Sequence, residues 1–207
     1  MKLILASASA RRRELLTTCG YDFTVIPSSA DEHVEANTPS ELVEQLALKK
    51  ASSVFNALSP EDKKNAAVVG SDTVVVLDGS VMGKPSSRED AFNMLKMESG
   101  RVNTVYTGIA VVTLNSGSAS DSEGRDACLA ALADHDAARV KFAVLSDEEI
   151  QAYVDSGDPL DKAGAYGIQG PFSVFVESVE GSYFTVVGLP VHKLYRMLKS
   201  VGIVPKL

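Results

Sequence analysis

From Lys2 to Ser200, short apolar or β-branched runs alternate with helix-start signals, and this alternation constrains the fold more tightly than any other feature of the chain. A sequence that keeps switching between the two periods folds as an α/β protein, a sheet covered by helices. Lys2–Ala6 suits a buried strand, and Ser7-Ala8-Ser9 leads from it into a helix predicted over Ala10–Cys19 and closed by Gly20. Phe23–Ile26 predicts a second strand. Thr38-Pro39-Ser40-Glu41 is a capping box with proline at the first helical position, so a helix starts there and runs to near Phe55. Ala67–Leu77 is apolar and β-branched, interrupted only by Gly70-Ser71-Asp72-Thr73, and Asp78-Gly79 then signals a hairpin. Ser86-Ser87-Arg88-Glu89 and Ser146-Asp147-Glu148-Glu149 are further capping boxes, opening helices that end near Glu98 and Gly157. Arg101–Leu114 and Arg139–Leu145 read as strands, as do Ser173–Val179 and Tyr183–Val187, and Pro190 begins a last helix. Asn115–Ala138 holds few large apolar residues; it predicts a surface insertion with a short helix around Asp126–Ala133, not a linker. The 207 residues then fit one domain.

Charge narrows the function classes. The 20 basic and 27 acidic residues leave a net charge of −7, the wrong sign for counterion release from a nucleic-acid polymer. No apolar run approaches the roughly 18–20 residues that span a bilayer, and the opening run turns polar at Ser7, so neither membrane nor secretion is expected and the cytoplasm is the predicted location. Cys19 and Cys128 lack C-x-x-C spacing, and His33, His135 and His192 form no ligand pattern. A small anionic ligand gripped by local cations remains open.

Three places resist a purely structural reading. At about 100° per residue, Lys50 falls in the middle of the apolar stripe formed by Leu42, Val43, Leu46, Ala47 and Val54. Such a lysine either snorkels to water or points into a cleft toward an anion. Asp72 interrupts a β-branched run, either as the tip of a turn or as a site carboxylate at a strand end. Ser7 to Arg13 joins a strand to a helix start with small residues and three arginines, which suits a phosphate cradle or an ordinary surface turn, and it is neither a Walker A loop nor G-x-G-x-x-G. Carboxylates set among arginines and lysines suit metal-assisted chemistry on phosphate.

Six blocks in order, LILASASARRRELL from Leu3, GSDTVVVLDG from Gly70, Gly83-Lys84-Pro85, Thr107-Gly108, DKAGAYGIQG from Asp161 and VVGLP from Val186, resemble the Maf family of nucleoside triphosphate pyrophosphatases. The resemblance implies an elongated, twisted mixed β-sheet flanked by helices around a central cleft, and hydrolysis of a nucleoside triphosphate to monophosphate and pyrophosphate. It further implies Asp72 as the catalytic acidic residue, Glu32 and Asp72 as ligands of one divalent Mg²⁺ or Mn²⁺, and Ser7, Arg11, Arg12, Lys50 and Lys84 as triphosphate contacts. Arg11, Thr73 and Gln169 match the subgroup that prefers dTTP and UTP. Ala10 stands where the family usually has proline, and Thr185 where Asn or another small polar residue is common. A homodimer is common in similar proteins. Two other readings stand beside this one: a nucleotide-binding regulator of cell division without turnover, and a purine-directed pyrophosphatase of the inosine triphosphate class.

Overall fold

The computed structural model describes residues 1–115 and 128–206. Its strands are β1 (Lys2–Leu5), β2 (Phe23–Val25), β3 (Ala66–Leu77), β4 (Ser80–Met82), β5 (Val102–Asn115), β6 (Cys128–Phe142) and β7 (Val176–Glu180). Its α-helices are α1 (Ala10–Thr18), α2 (Pro39–Ala57), α3 (Pro60–Lys63), α4 (Arg88–Glu98), α5 (Asp147–Asp155), α6 (Tyr183–Val187) and α7 (Val191–Ser200). The seven strands form one mixed sheet in the order β2-β1-β3-β5-β6-β7, with β4 on β3. β1 pairs parallel with both β2 and β3, whereas β3–β4 and β6–β7 are antiparallel. The α/β class with a mixed sheet flanked by helices is thus observed.

The chain divides into two compact units, and the divisions fall inside β3, β5 and β6 and after Gly188. The first unit comprises Met1–Asp72, Gly108–His135 and Leu189–Leu207, and its core sets Ile4 and Val68 against Ala47, Ala51 and Phe55 of α2. The second, Thr73–Thr107 and Asp136–Gly188, buries Leu95, Phe142, Tyr153, Tyr166 and Phe172 together. Among the described residues no helix is long and apolar enough to cross a membrane.

Local signals set most boundaries. Thr38 accepts the Glu41 N–H at the start of α2, and Ser146 and Glu149 exchange both bonds of a capping box at α5. At α4 the cap is Ser87, one residue later than expected, because Ser86 is tied by its N–H and hydroxyl to the Asp90 carboxylate. Asp78 and Gly79 both have positive φ, 51° and 79°, as a two-residue hairpin requires.

Four expectations are corrected. β3 passes through Gly70–Thr73 without a turn. Cys128–Ala133 is strand, not helix, since β6 begins at Cys128; residues 126 and 127 lie outside the described residues. Tyr183–Val187 is helix rather than strand, closed by Gly188 at φ 109°. Pro171–Phe175 forms a 3₁₀ turn that delays β7 to Val176.

Candidate active site

Side chains alternate along β3, and Gly70 and Asp72 share the face that meets α2. A Cβ on Gly70 would overlap the carbonyl oxygen of Ala47 and stand 2.8 Å from the Ala51 nitrogen, so only glycine lets the helix lie this close. Gly108 on β5 meets the same helix one turn earlier, where a Cβ would overlap the Val43 carbonyl and reach 2.7 Å from the Glu44 nitrogen. The small residues Ala47 and Ala51 complete the approach. Lys50, on the same stretch of α2, is thereby brought onto Asp72.

Its Nζ lies 2.6 Å from Asp72 Oδ1 and 2.8 Å from Glu32 Oε1. The side chains of Lys50 and Asp72 are only 14% and 13% exposed, whereas Glu32 is 67% exposed. Lys50 therefore does not snorkel to water, and Asp72 is neither the tip of a turn nor at a strand end, since it lies inside β3. Each is the other's partner, which offsets the cost of holding two such polar groups this deep. Two carboxylate oxygens converging on one cation are also the hard-oxygen donor set a divalent ion takes, so Glu32 and Asp72 fit the implied metal chemically.

The loop from β1 to α1 adds a second cation. Ser9 caps α1 by accepting the Arg12 N–H at 3.4 Å, while Ser7 Oγ accepts the Ser9 N–H at 3.2 Å and Arg12 Nη1 at 3.3 Å. Burial lowers the Arg12 pKa; the field of Asp72 opposes that shift, Arg11 adds to it, and Glu32 opposes it. Arginine stays charged nonetheless. Ser7, Arg12, Glu32, Lys50 and Asp72 thus form one electrostatically linked group, with Arg11 half-buried beside Arg12.

The other expected site residues belong to the second unit. Thr73 follows Asp72 but points to the opposite face of β3, where its Oγ1 lies 3.0 Å from Thr107 Oγ1. Lys84 is exposed in a loop anchored by the Gly164 N–H on the Gly83 carbonyl at 3.0 Å. Gln169 is exposed in the turn closed by the Gly170 N–H on the Gly167 carbonyl, and the Gly167 N–H in turn donates to Tyr153 Oη at 3.1 Å.

One cluster escaped the sequence. Glu44, Asp134 and His135 offer ligand atoms within 4.8 Å of one another, the one such group of three or more among the described residues. His135 Nδ1 bonds Glu44 Oε1, and Lys193 donates to Asp134 Oδ1 at 3.1 Å and to the His135 carbonyl. These residues are acidic and imidazole groups that could hold a metal ion. No local spacing announces them, since Glu44 and His135 are brought together only by the sheet.

The family model for Maf-like proteins matches residues 2–201. A dTTP/UTP pyrophosphatase of Thermoanaerobacter sp. (strain X514) is 46% identical over 199 residues, 96% of each chain. The protein of that name from Clostridium tetani (strain Massachusetts / E88) is 42% identical over 205 residues, 98% of this chain and 99% of its own. That of Bacillus anthracis (strain CDC 684 / NRRL 3495) is 42% identical over 203 residues, 98% of this chain and 96% of its own. A match that runs through both units and every block around Lys50 and Asp72 means that the chain belongs to the Maf-like protein family.

Proposed function

We propose that this protein is a nucleoside triphosphate pyrophosphatase that hydrolyses dTTP and UTP, with CTP and modified pyrimidine nucleotides as further candidate substrates, to the monophosphate and pyrophosphate. The observation that carries the reading is the half-enclosed Lys50–Asp72–Glu32 group beside Arg12, in a chain whose relatives bear that activity in their names. Simple nucleotide binding needs cations alone. A carboxylate held at the same point adds what hydrolysis requires, a proton acceptor for water.

In this account Asp72 accepts a proton from the attacking water as its oxygen bonds to the α-phosphorus. The bond from the α-phosphorus to the bridging oxygen breaks, and pyrophosphate leaves with the electron pair. Lys50, Lys84 and Arg12 meet the charge that grows on the leaving group, which is where preorganised cations accelerate phosphoryl transfer. Ser7 orients Arg12, and Arg11 with the α1 N-terminus takes the remaining phosphate oxygens. Thr73 and Gln169 read the base. Glu32 and Asp72 would hold one Mg²⁺ or Mn²⁺, which when bound polarises the phosphate and lowers the pKa of water. The chain acts as one cytoplasmic, house-cleaning domain on small nucleotides, with no polymer or membrane partner.

The test is pyrophosphate and monophosphate release from ordinary and modified triphosphates with Mg²⁺, Mn²⁺ or EDTA. Metal-dependent release favouring dTTP and UTP is expected. Nucleotide binding with no release from any of them would return the protein to the class of non-catalytic regulators.

A further inference from the structure

Lys49 and Lys50 are neighbours on α2, and both reach the segment between β2 and α2 that carries Glu32. Residues 27–36 of that segment are neither helix nor strand, so no regular ladder of backbone bonds fixes where Glu32 sits. Lys50 takes the Glu32 carboxylate itself. Lys49 grips the residues on either side: its Nζ donates to the His33 carbonyl oxygen at 2.8 Å and lies 3.6 Å from Asp31 Oδ2. The other Asp31 oxygen, Oδ1, accepts the His33 N–H at 3.2 Å, which closes a short turn around Glu32. Lys49 thus meets both flanks of one turn whose middle residue is Glu32. All of these residues belong to the first compact unit.

We propose that Lys49 is a positioning residue that holds the Glu32 turn against α2, so that Glu32 is in place beside Asp72 before a divalent ion binds. This rests on the reading of Glu32 and Asp72 as the metal ligands. A divalent ion that takes an oxygen of Glu32 competes for it with the Lys50 ammonium, 2.8 Å away. The hold of Lys49 is on atoms of the flanking residues, so it persists through that exchange and leaves Lys50 able to turn to phosphate. Partners that fix a metal ligand in place are typically worth about 10–100-fold in affinity. Without the hold, the turn has to be ordered as the ion binds, which also costs affinity. Charge alone argues the other way: an ammonium near a cation site repels the cation, and deleting it tightens binding. The sign of the effect therefore separates positioning from simple electrostatics.

The experiment is Mn²⁺ binding to the nucleotide-free protein, read by loss of the free-ion electron paramagnetic resonance signal. It compares the wild type with Lys49→Met, Lys49→Gln, Lys49→Arg and Glu32→Gln, and kcat for UTP at saturating Mn²⁺ is measured beside it. Lys49→Met and Lys49→Gln are expected to raise the Mn²⁺ Kd about tenfold while lowering kcat at saturating Mn²⁺ by no more than about threefold. Lys49→Arg, which still carries the charge and can donate to the carbonyl, is expected to restore most of the affinity. Glu32→Gln is expected to weaken binding at least as much, since it removes a ligand rather than its support. A Kd that is unchanged or tighter in Lys49→Met and Lys49→Gln, with Glu32→Gln weakened, overturns the proposal and leaves the metal reading standing. A Kd that Glu32→Gln does not move overturns the metal reading, and this inference with it.

Discussion

Glu98 closes α4 with its side chain 1% exposed. Its Oε2 accepts a bond from Asn103 Nδ2 at 3.1 Å, and Asn103 Oδ1 accepts one from Tyr166 Oη at 3.2 Å. Oε1 has no partner among the described residues. Burial pushes this carboxyl from its ordinary 4.5 up to about 8, the Asn103 bond offsetting only part of the shift. Glu98 is therefore protonated in the folded protein at neutral pH and ionised in the unfolded chain. With the folded pKa raised, the stability Glu98 contributes is complete below pH 4.5 and is lost as pH rises toward 8. At about 1.4 kcal/mol per pH unit, the interval amounts to about 5 kcal/mol. Glu98→Gln keeps the shape of the neutral acid and does not titrate. In denaturant unfolding from about pH 4.5 to about pH 8.5, the stability of Glu98→Gln relative to wild type should climb by several kcal/mol. A difference that stays constant across that range would refute the reasoning.

Gly70→Ala should destabilise the protein by about 3 kcal/mol or more and lower turnover with it, because the new methyl group collides with the α2 backbone that carries Lys50; denaturation and pyrophosphate release read both, and a variant of wild-type stability would contradict the close approach. Lys50→Met should cost about 100-fold in kcat while the protein still folds, since Asp72 loses the cation 2.6 Å away and the phosphates lose theirs; near-normal turnover would remove Lys50 from the site. Removing the Ser146 hydroxyl with Ser146→Ala should cost about 1 kcal/mol in unfolding and leave activity intact.

The parts of this fold that were legible in the sequence are those decided over a few residues. The caps Thr38 and Ser146 and the hairpin Asp78-Gly79 are local chemistry, and each is found where read. Lys50 was conspicuous because a helix repeats at a fixed angle, so one charge inside an apolar stripe cannot hide. Asp72 was ambiguous for the same reason that it is informative: a glycine and polar residues inside a β-branched run look like a turn until α2 is seen to need Gly70. Tyr183–Val187 is β-branched and aromatic yet helical, its propensity overridden by the left-handed cap at Gly188. Cys128–Ala138 is poor in strand formers and is strand because β6 lies beside β5 in the sheet, β7 pairing only with Arg139–Phe142. The Glu44–Asp134–His135 group was invisible because Glu44 on α2 lies far in sequence from Asp134 and His135 on β6 and meets them only in the folded chain.

The claim that Asp72 activates the water, rather than merely holding Lys50, is tested most directly by Asp72→Asn. The substitution preserves the shape and one acceptor oxygen but removes the proton acceptor and its negative charge. Turnover of UTP with Mg²⁺ and equilibrium binding of a non-hydrolysable UTP analogue would be measured on the same preparation. The account predicts a loss of about 10²–10⁴ in kcat with binding retained within a few-fold. Turnover close to that of the wild type would show that the proton leaves by another route and that this carboxylate is not the base.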